Sequence, residues 1–331
     1  MELEKSIVHI LDCEHNTYIA SSKCMQEMNE DILSMIEKKA NKAFASTKKK
    51  AAHFKEGSIA KSWIENYTAS RISFEEISEK LAKHIFDLKM KYGVYEGSDL
   101  IIASVMQEGR RYLLILDNGY QSGLTHDLHQ EEAVYNELIS YRTLLSSNLT
   151  SKDRAALIEC SDLSIHCVEN KIEIEAQKVN FLAELVLQCT TKPSYQEAVK
   201  TMSKTLEEVS EKYDIQEVNL MPKMKSIIAD TVDRQAPIDV EEIAEILFAE
   251  KPLIKKDFTQ EVKDKGIEEK VDVEYVKPRR SERVQKIKTD NGIEIIIPVD
   301  YMNSKDYVEF VTQSDGTISI QLKNITNITS K

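Results

Sequence analysis

Residues 99–119, DLIIASVMQEGRRYLLILDNG, set the terms for the amino-terminal half of the chain. Two runs dense in Leu, Ile and Val, each of ordinary strand length, flank Glu108-Gly109-Arg110, where glycine supplies the backbone freedom of a tight reversal. They predict an antiparallel hairpin. Asn118-Gly119 offers a second reversal immediately afterwards, so the passage reads as a meander.

Upstream, IVHIL and TYIA are short alternating runs, followed by a helix expected over 25–45 from the spacing of Met25, Met28, Ile32, Met35 and Ile36. A second helix begins at Ser73, where an acidic residue three positions after a hydroxyl makes a start signal, and it stops near Gly93. Downstream, residues 130–147 read as helical, and LSIHCV with KIEIEA suggests a hairpin about Glu169-Asn170. The pattern then changes. KVNFLAELVLQ, YQEAVKTMSKTLEEVSEKY, MPKMKSIIADTV, DVEEIAEILFAE and DFTQEVKDKG follow as successive helices, and all six prolines lie at or beyond Pro193. The chain closes with VQKIK and IEIIIPV about Asp290-Asn291-Gly292, then YVEFVT and TISIQL about Ser314-Asp315-Gly316, two further hairpins. The expectation is an α+β protein: a mixed domain with antiparallel strands over 1–176, a helical region over 177–270, and a basic segment with β-hairpins over 271–331.

At 331 residues, 41% hydrophobic and 30% charged, the chain has the composition of a folded protein of more than one domain. Its amino terminus, MELEKSIVHILDCEHNTY, is broken by charge too often for a signal peptide. Apolar runs such as 100–106 and 293–299 fall far short of the roughly 20 residues of a membrane span. Cys13, Cys24, Cys160, Cys167 and Cys189 are odd in number, scattered and without a C-x-x-C pair, as reduced thiols are. A cytoplasmic protein without membrane partners is expected.

Catalytic signatures are sparse. The nine glycines form neither G-x-x-x-x-G-K nor G-x-G-x-x-G, so the backbone cradles for phosphate are missing, and no serine sits in G-x-S-x-G. His126 and His129, and the group Cys160, His166 and Cys167, match no closed zinc module. Glu173, Glu175 and Lys178 are the nearest approach to a metal-dependent nuclease set, although alternating Glu and Ile is also what a half-exposed strand requires. No cofactor, metal or catalytic residue is expected.

Charge distribution says more than the net charge of -12. Between 38 and 61 lie Lys38, Lys39, Lys42, Lys48, Lys49, Lys50, Lys55 and Lys61 against Glu56 alone, a net of +7. Between 277 and 288 lie Lys277, Arg279, Arg280, Arg283, Lys286 and Lys288 against Glu282, a net of +5, which leaves -24 for the rest. Two basic segments in an acidic chain orient a protein on a polyanion and limit binding to one face. Lys38, Lys39, Lys42, Lys48, Lys49 and Lys50 are candidate contacts from the first, and Lys277, Arg279, Arg280, Arg283, Lys286 and Lys288 from the second. The arginine-rich later segment, held between strands, is the firmer candidate, because guanidinium groups match phosphate bidentately. The earlier one can equally be a mobile loop. Few aromatic residues accompany either, which points to duplex backbone contact with little sequence readout rather than to single-strand stacking.

In order, the opening IVHILD, the central RYLLILDNG, the passage KIEIEAQKVNFLAELVL and the closing GIEIIIPVDY and GTISIQLKNI resemble the bacterial nucleoid-associated protein family of the NdpA type over nearly the whole chain. The resemblance implies a cytosolic protein that sits on the bacterial chromosome and binds double-stranded DNA without a catalytic step. Other DNA-associated proteins and a homodimer are further possible partners. Two other readings stay open: an interaction adaptor using the acidic helices over 195–250, and, more distantly, the nuclease.

Overall fold

The computed structural model describes residues 1–129, 134–215, 219–267, 270–277, 283–302, 304–314 and 316–329. The chain opens with β1 (Glu2–Asp12) and β2 (Thr17–Ile19), then α1 (Glu30–Phe44), β3 (Lys50–Phe54), α2 (Ile59–Thr68) and α3 (Phe74–Lys91). The central hairpin is β4 (Ser98–Gln107) and β5 (Arg110–Gly119), paired from Ser98 opposite Gly119 to Gln107 opposite Arg110. Glu108 and Gly109 close it at φ 51° and 78°, the two left-handed residues whose twist matches that of the strands.

Next come β6 (Gln121–His129), β7 (Tyr135–Leu144), β8 (Arg154–Glu159), β9 (Ile165–Val168), β10 (Ile172–Ile174), β11 (Gln177–Val179), a π-helical turn (Phe181–Val186) and β12 (Cys189–Thr191). Eight of these strands form one antiparallel sheet in the order β12-β3-β9-β8-β5-β4-β1-β2. Alternation sends Leu100, Ile102, Leu113, Ile115, Ala156 and Ile158 to one face, where Phe74, Ile77, Leu81 and Ile85 of α3 cover them with Ile64 of α2 and Phe181. Ile101, Ala103, Leu114, Leu116, Ala155 and Leu157 point to the other face and are equally buried. There α1 packs on β8, with Phe44 edge-on to Tyr112 at 5.6 Å. Helices on both faces explain why the central strands are unbroken apolar runs.

The ends of α3 form as expected: the Ser73 hydroxyl accepts from the Glu76 N–H at 3.0 Å. α1 starts five residues later than its spacing suggests. The Met25 N–H donates to the Ser6 carbonyl at 2.9 Å, which holds that residue in an extended connection, and Asn29 caps the helix by accepting from the Ile32 N–H. The basic segment 38–61, for which a mobile loop is the other reading, contributes the end of α1, β3 and the start of α2.

Four other expectations are corrected. Asn118-Gly119 is not a turn, since the chain runs on through Tyr120 into β6; glycine is required because a Cβ at 119 would lie 2.7 Å from the Lys152 Cβ. The passage 130–147 is not helical: Tyr135–Leu144 is a strand of a two-stranded ribbon with β6, and residues 130–133 lie outside the described ones. β9 does not pair with β10. Glu169 instead accepts from the N–H groups of Leu182 and Ala183, both at 2.9 Å, and Asn170 donates to the Ser151 carbonyl, so 169–170 is a fixed connection. β10 pairs with β11 through a turn at Glu175 and Ala176, and the helix expected over 178–188 is reduced to the π-helical turn.

The chain divides into two compact units, 1–192 and 193–331. The second begins with α4 (Tyr195–Lys212), α5 (Leu220–Asp233), α6 (Val240–Phe248) and α7 (Pro252–Asp264). Ser194 and Glu197 cap α4 reciprocally, Asp239 caps α6, and proline opens α7 where no N–H is needed. Met202, Leu206, Met224, Ile228, Ile243 and Val262 form the core with Phe248 and Phe258, whose rings lie 5.7 Å apart. β13 (Val284–Lys288) pairs with β14 (Glu294–Pro298), α8 (Val299–Met302) follows, and β15 (Val308–Thr312) pairs with β16 (Ile318–Leu322). The fold is thus α+β, with the closing hairpins where the sequence put them. No helix among the described residues is long and apolar enough to cross a membrane.

Candidate nucleic-acid interface

The first basic segment is divided by the fold. Period-two alternation at the end of β5 sends Asp117 to the α3 face of the sheet and Asn118 to the α1 face, and each meets a fully buried lysine. Lys89 of α3 lies 2.8 Å from Asp117 and also donates to the Ser98 hydroxyl; Arg154 approaches the other Asp117 oxygen at 3.0 Å. Burial pushes the Asp117 carboxyl up, but the Lys89 and Arg154 charges outweigh it and hold it at about 2. On the opposite face Lys39 of α1 donates to Asn118 at 2.6 Å and to Asp153 at 3.0 Å. Burial depresses the Lys39 ammonium, and Asp153 opposes that shift.

Asp153 is the hinge between this buried pair and the surface. Its carboxylate also accepts from the Thr150 N–H at 2.7 Å and the Gly119 N–H at 3.2 Å, which fixes the loop over 148–153 against the sheet. Around that loop stand exposed lysines. Lys42, one turn after Lys38 on α1, reaches Asn148 at 2.6 Å, and Lys48 reaches Asn170 at 3.3 Å, itself bonded to the Ser151 carbonyl. Lys152 donates to the Tyr120 carbonyl at 3.1 Å. Their hydrogen-bond partners are neutral oxygens and all three side chains are exposed, although Lys152 also lines a cleft with Asp12, Glu14 and Glu96. Lys38 and Lys55 are exposed too, and Lys171 follows Asn170 on the surface.

Lys49 and Lys50 do not share this exposure. The Lys49 ammonium sits 5.2 Å from the Phe44 ring centroid, and Lys50 opens β3 opposite Cys167; both are largely buried. Of the six candidates from the first segment, Lys38, Lys42 and Lys48 are therefore at the surface and Lys39, Lys49 and Lys50 are inside. Lys152, absent from the candidates, belongs with the surface group; its signal was the turn-rich SSNLTSKD, where Asp follows as a loop-fixing carboxylate.

In the second segment Arg279 and Arg280 lie outside the described residues. Arg283 forms a two-pronged ion pair with Asp233, and Lys286 pairs with Glu294 across the β13–β14 hairpin at 2.8 Å. Lys277 and Lys288 are exposed.

The remaining groups do not assemble. Glu173 and Lys178 are exposed cross-strand neighbours of opposite charge in the β10–β11 hairpin, while Glu175 occupies the turn at φ 50°. His126 and His129 fall on opposite faces of the β6–β7 ribbon, His129 stacked on Tyr135. Cys167 is buried with its thiol pushed well up by desolvation. Among the described residues no group of three or more His, Cys, Asp and Glu could hold a metal ion.

A family model described as nucleoid-associated protein YejK matches residues 7–329, nearly the whole chain. A search of curated proteins finds no match.

Proposed function

The chain belongs to the nucleoid-associated protein YejK family, and from that premise we propose that it binds double-stranded DNA through the phosphate backbone, with little sequence preference and without a catalytic step. Family membership places it at the bacterial nucleoid. The observation that carries the finer reading is the group Lys42, Lys48 and Lys152 around the loop fixed by Asp153, cations whose partners are neutral oxygens. Lys38 extends it along α1. Such a group neutralises phosphates and releases counterions without reading a base edge. Two chains acting together would double this face and offset the repulsion from an acidic remainder.

The adaptor reading draws less support, because cations answer much of the charge of the acidic helices: Glu241 pairs with Lys263, Glu245 with Lys255, and Glu208 with Lys265. The nuclease reading loses its convergent site in the β10–β11 hairpin. Binding of unrelated duplexes over a salt series tests the proposal. With about six phosphates contacted, log affinity should fall with log salt at a slope near -5 and be similar for each sequence. A slope near zero, or plasmid cut on incubation with magnesium or manganese, would overturn it.

A further inference from the structure

The β6–β7 ribbon is not used by the DNA reading and cannot serve it. Between 121 and 144 there is no lysine and one arginine, Arg142, against Asp127 and Glu137 on the strands themselves. Yet the ribbon is rich in exposed apolar side chains: Leu124 is 72%, Leu138 74% and Val134 75% accessible, and Leu128, Tyr135 and Tyr141 are also exposed. β6 and β7 pair only with each other among the described residues. A lone two-stranded ribbon is marginally stable in water, and apolar faces of this kind mark contact surfaces.

Its root is fixed. The Tyr120 hydroxyl donates to Asp99 at 2.7 Å, the Tyr120 carbonyl accepts from Lys152, and β5 runs directly into β6. These contacts anchor the arm where it leaves the sheet.

The two faces differ. Leu124 opposite Ser140, His126 opposite Leu138 and Leu128 opposite Asn136 make one face that carries no carboxylate among the described residues. Thr125 opposite Ile139, Asp127 opposite Glu137 and His129 opposite Tyr135 make the other, with two carboxylates side by side. We propose that the leucine face is where a second copy of this chain docks, ribbon against ribbon across a two-fold axis. An isologous contact sets a patch against itself, so a carboxylate on it would meet its own copy; among the described residues only the leucine face is without one, and Arg142, which alternation puts on the side of Ser140, lies at the root, where it lines a cleft with Asp12 and Glu14. The eight residue pairs of the ribbon span roughly 27 Å. Two such faces together bury on the order of 1,000 Å², about what a specific interface needs. The proposal rests on the two-chain part of the DNA reading and deepens it by naming the surface.

Sedimentation of the full chain without DNA tests it, so that loss of pairing and loss of DNA binding are read separately. The protein is expected at twice the chain mass, Leu124→Glu/Leu138→Glu at one chain mass, and Thr125→Glu, on the opposite face, at twice. Ser140→Arg retains both leucines and sets like charges across the axis; with an unchanged far-ultraviolet circular dichroism spectrum it too should fall to one chain mass. A single-chain mass for the unmodified protein, a pair that survives either leucine-face change, or dissociation by Thr125→Glu would each overturn the assignment.

Discussion

The two basic segments carry similar charge in sequence but the fold treats them differently. Over 38–61 it separates the lysines by depth: Lys39 goes inside to neutralise Asp153, while Lys42 and Lys48 stay outside on neutral partners. Over the described part of 277–288 it separates them by partner, since Arg283 and Lys286 remain near the surface but face Asp233 and Glu294. A count of positive charge therefore overstates both, for opposite reasons. In the first segment the buried lysine still acts on the surface, because the carboxylate it neutralises is the one that fixes the loop bearing Lys152.

Removing charge at two depths within one helix should give the largest difference. Lys39→Ala leaves Asp153 buried without a cation and should cost about 3–5 kcal/mol, whereas Lys42→Ala should stay within about 0.5 kcal/mol of the unmodified protein. Urea unfolding followed by Trp63, the single tryptophan, reads unit 1 directly, since its ring is edge-on to His84 at 5.4 Å. Equal costs would mean that depth is not what separates the two lysines.

Acid provides the next test. Asp117 is held at about 2 against an ordinary value of 3.8. A depressed carboxylate contributes stability that is fully present above about pH 4 and is lost as pH falls towards 2, here about 2 kcal/mol. Asp117→Asn should remove that part of the acid dependence, and an unchanged acid unfolding profile would show that Lys89 and Arg154 do not hold the charge. The smallest effect belongs to the second segment. Arg283→Ala breaks a surface pair and should cost about 0–1 kcal/mol. A loss as large as that for Lys39 would erase the contrast.

What was legible in the sequence was local. The hairpin over 99–119 follows from two apolar runs about a glycine, α3 from its Ser73 start, and the closing hairpins from Asn-Gly and Asp-Gly turns with flanking alternation. What was not legible depends on distant partners. Nothing near Lys39 announces that it will be buried, because Asp153 lies 114 residues further on. Asn118-Gly119 has the residues of a turn, but the glycine serves the close approach of Lys152. Residues 130–147 read as helical, yet Tyr135–Leu144 form a strand whose apolar side chains lie on both faces of a ribbon, a pattern that makes sense for an arm awaiting a partner. The candidate site was thus half visible: the lysines of α1 stood out, but their sorting by depth and the addition of Lys152 required the loop that Asp153 holds.

We propose that the phosphate-facing cations are those around the 148–153 loop. The most direct test is duplex DNA affinity over a salt series for Lys42→Glu/Lys48→Glu/Lys152→Glu beside Lys277→Glu/Lys286→Glu/Lys288→Glu. At about 0.9 per phosphate contact, the first set should flatten the slope from near -5 to near -2, and the second should change it by about 1 or less. An unchanged slope in the first set, or a greater flattening in the second, would mean that the phosphates lie elsewhere on the protein.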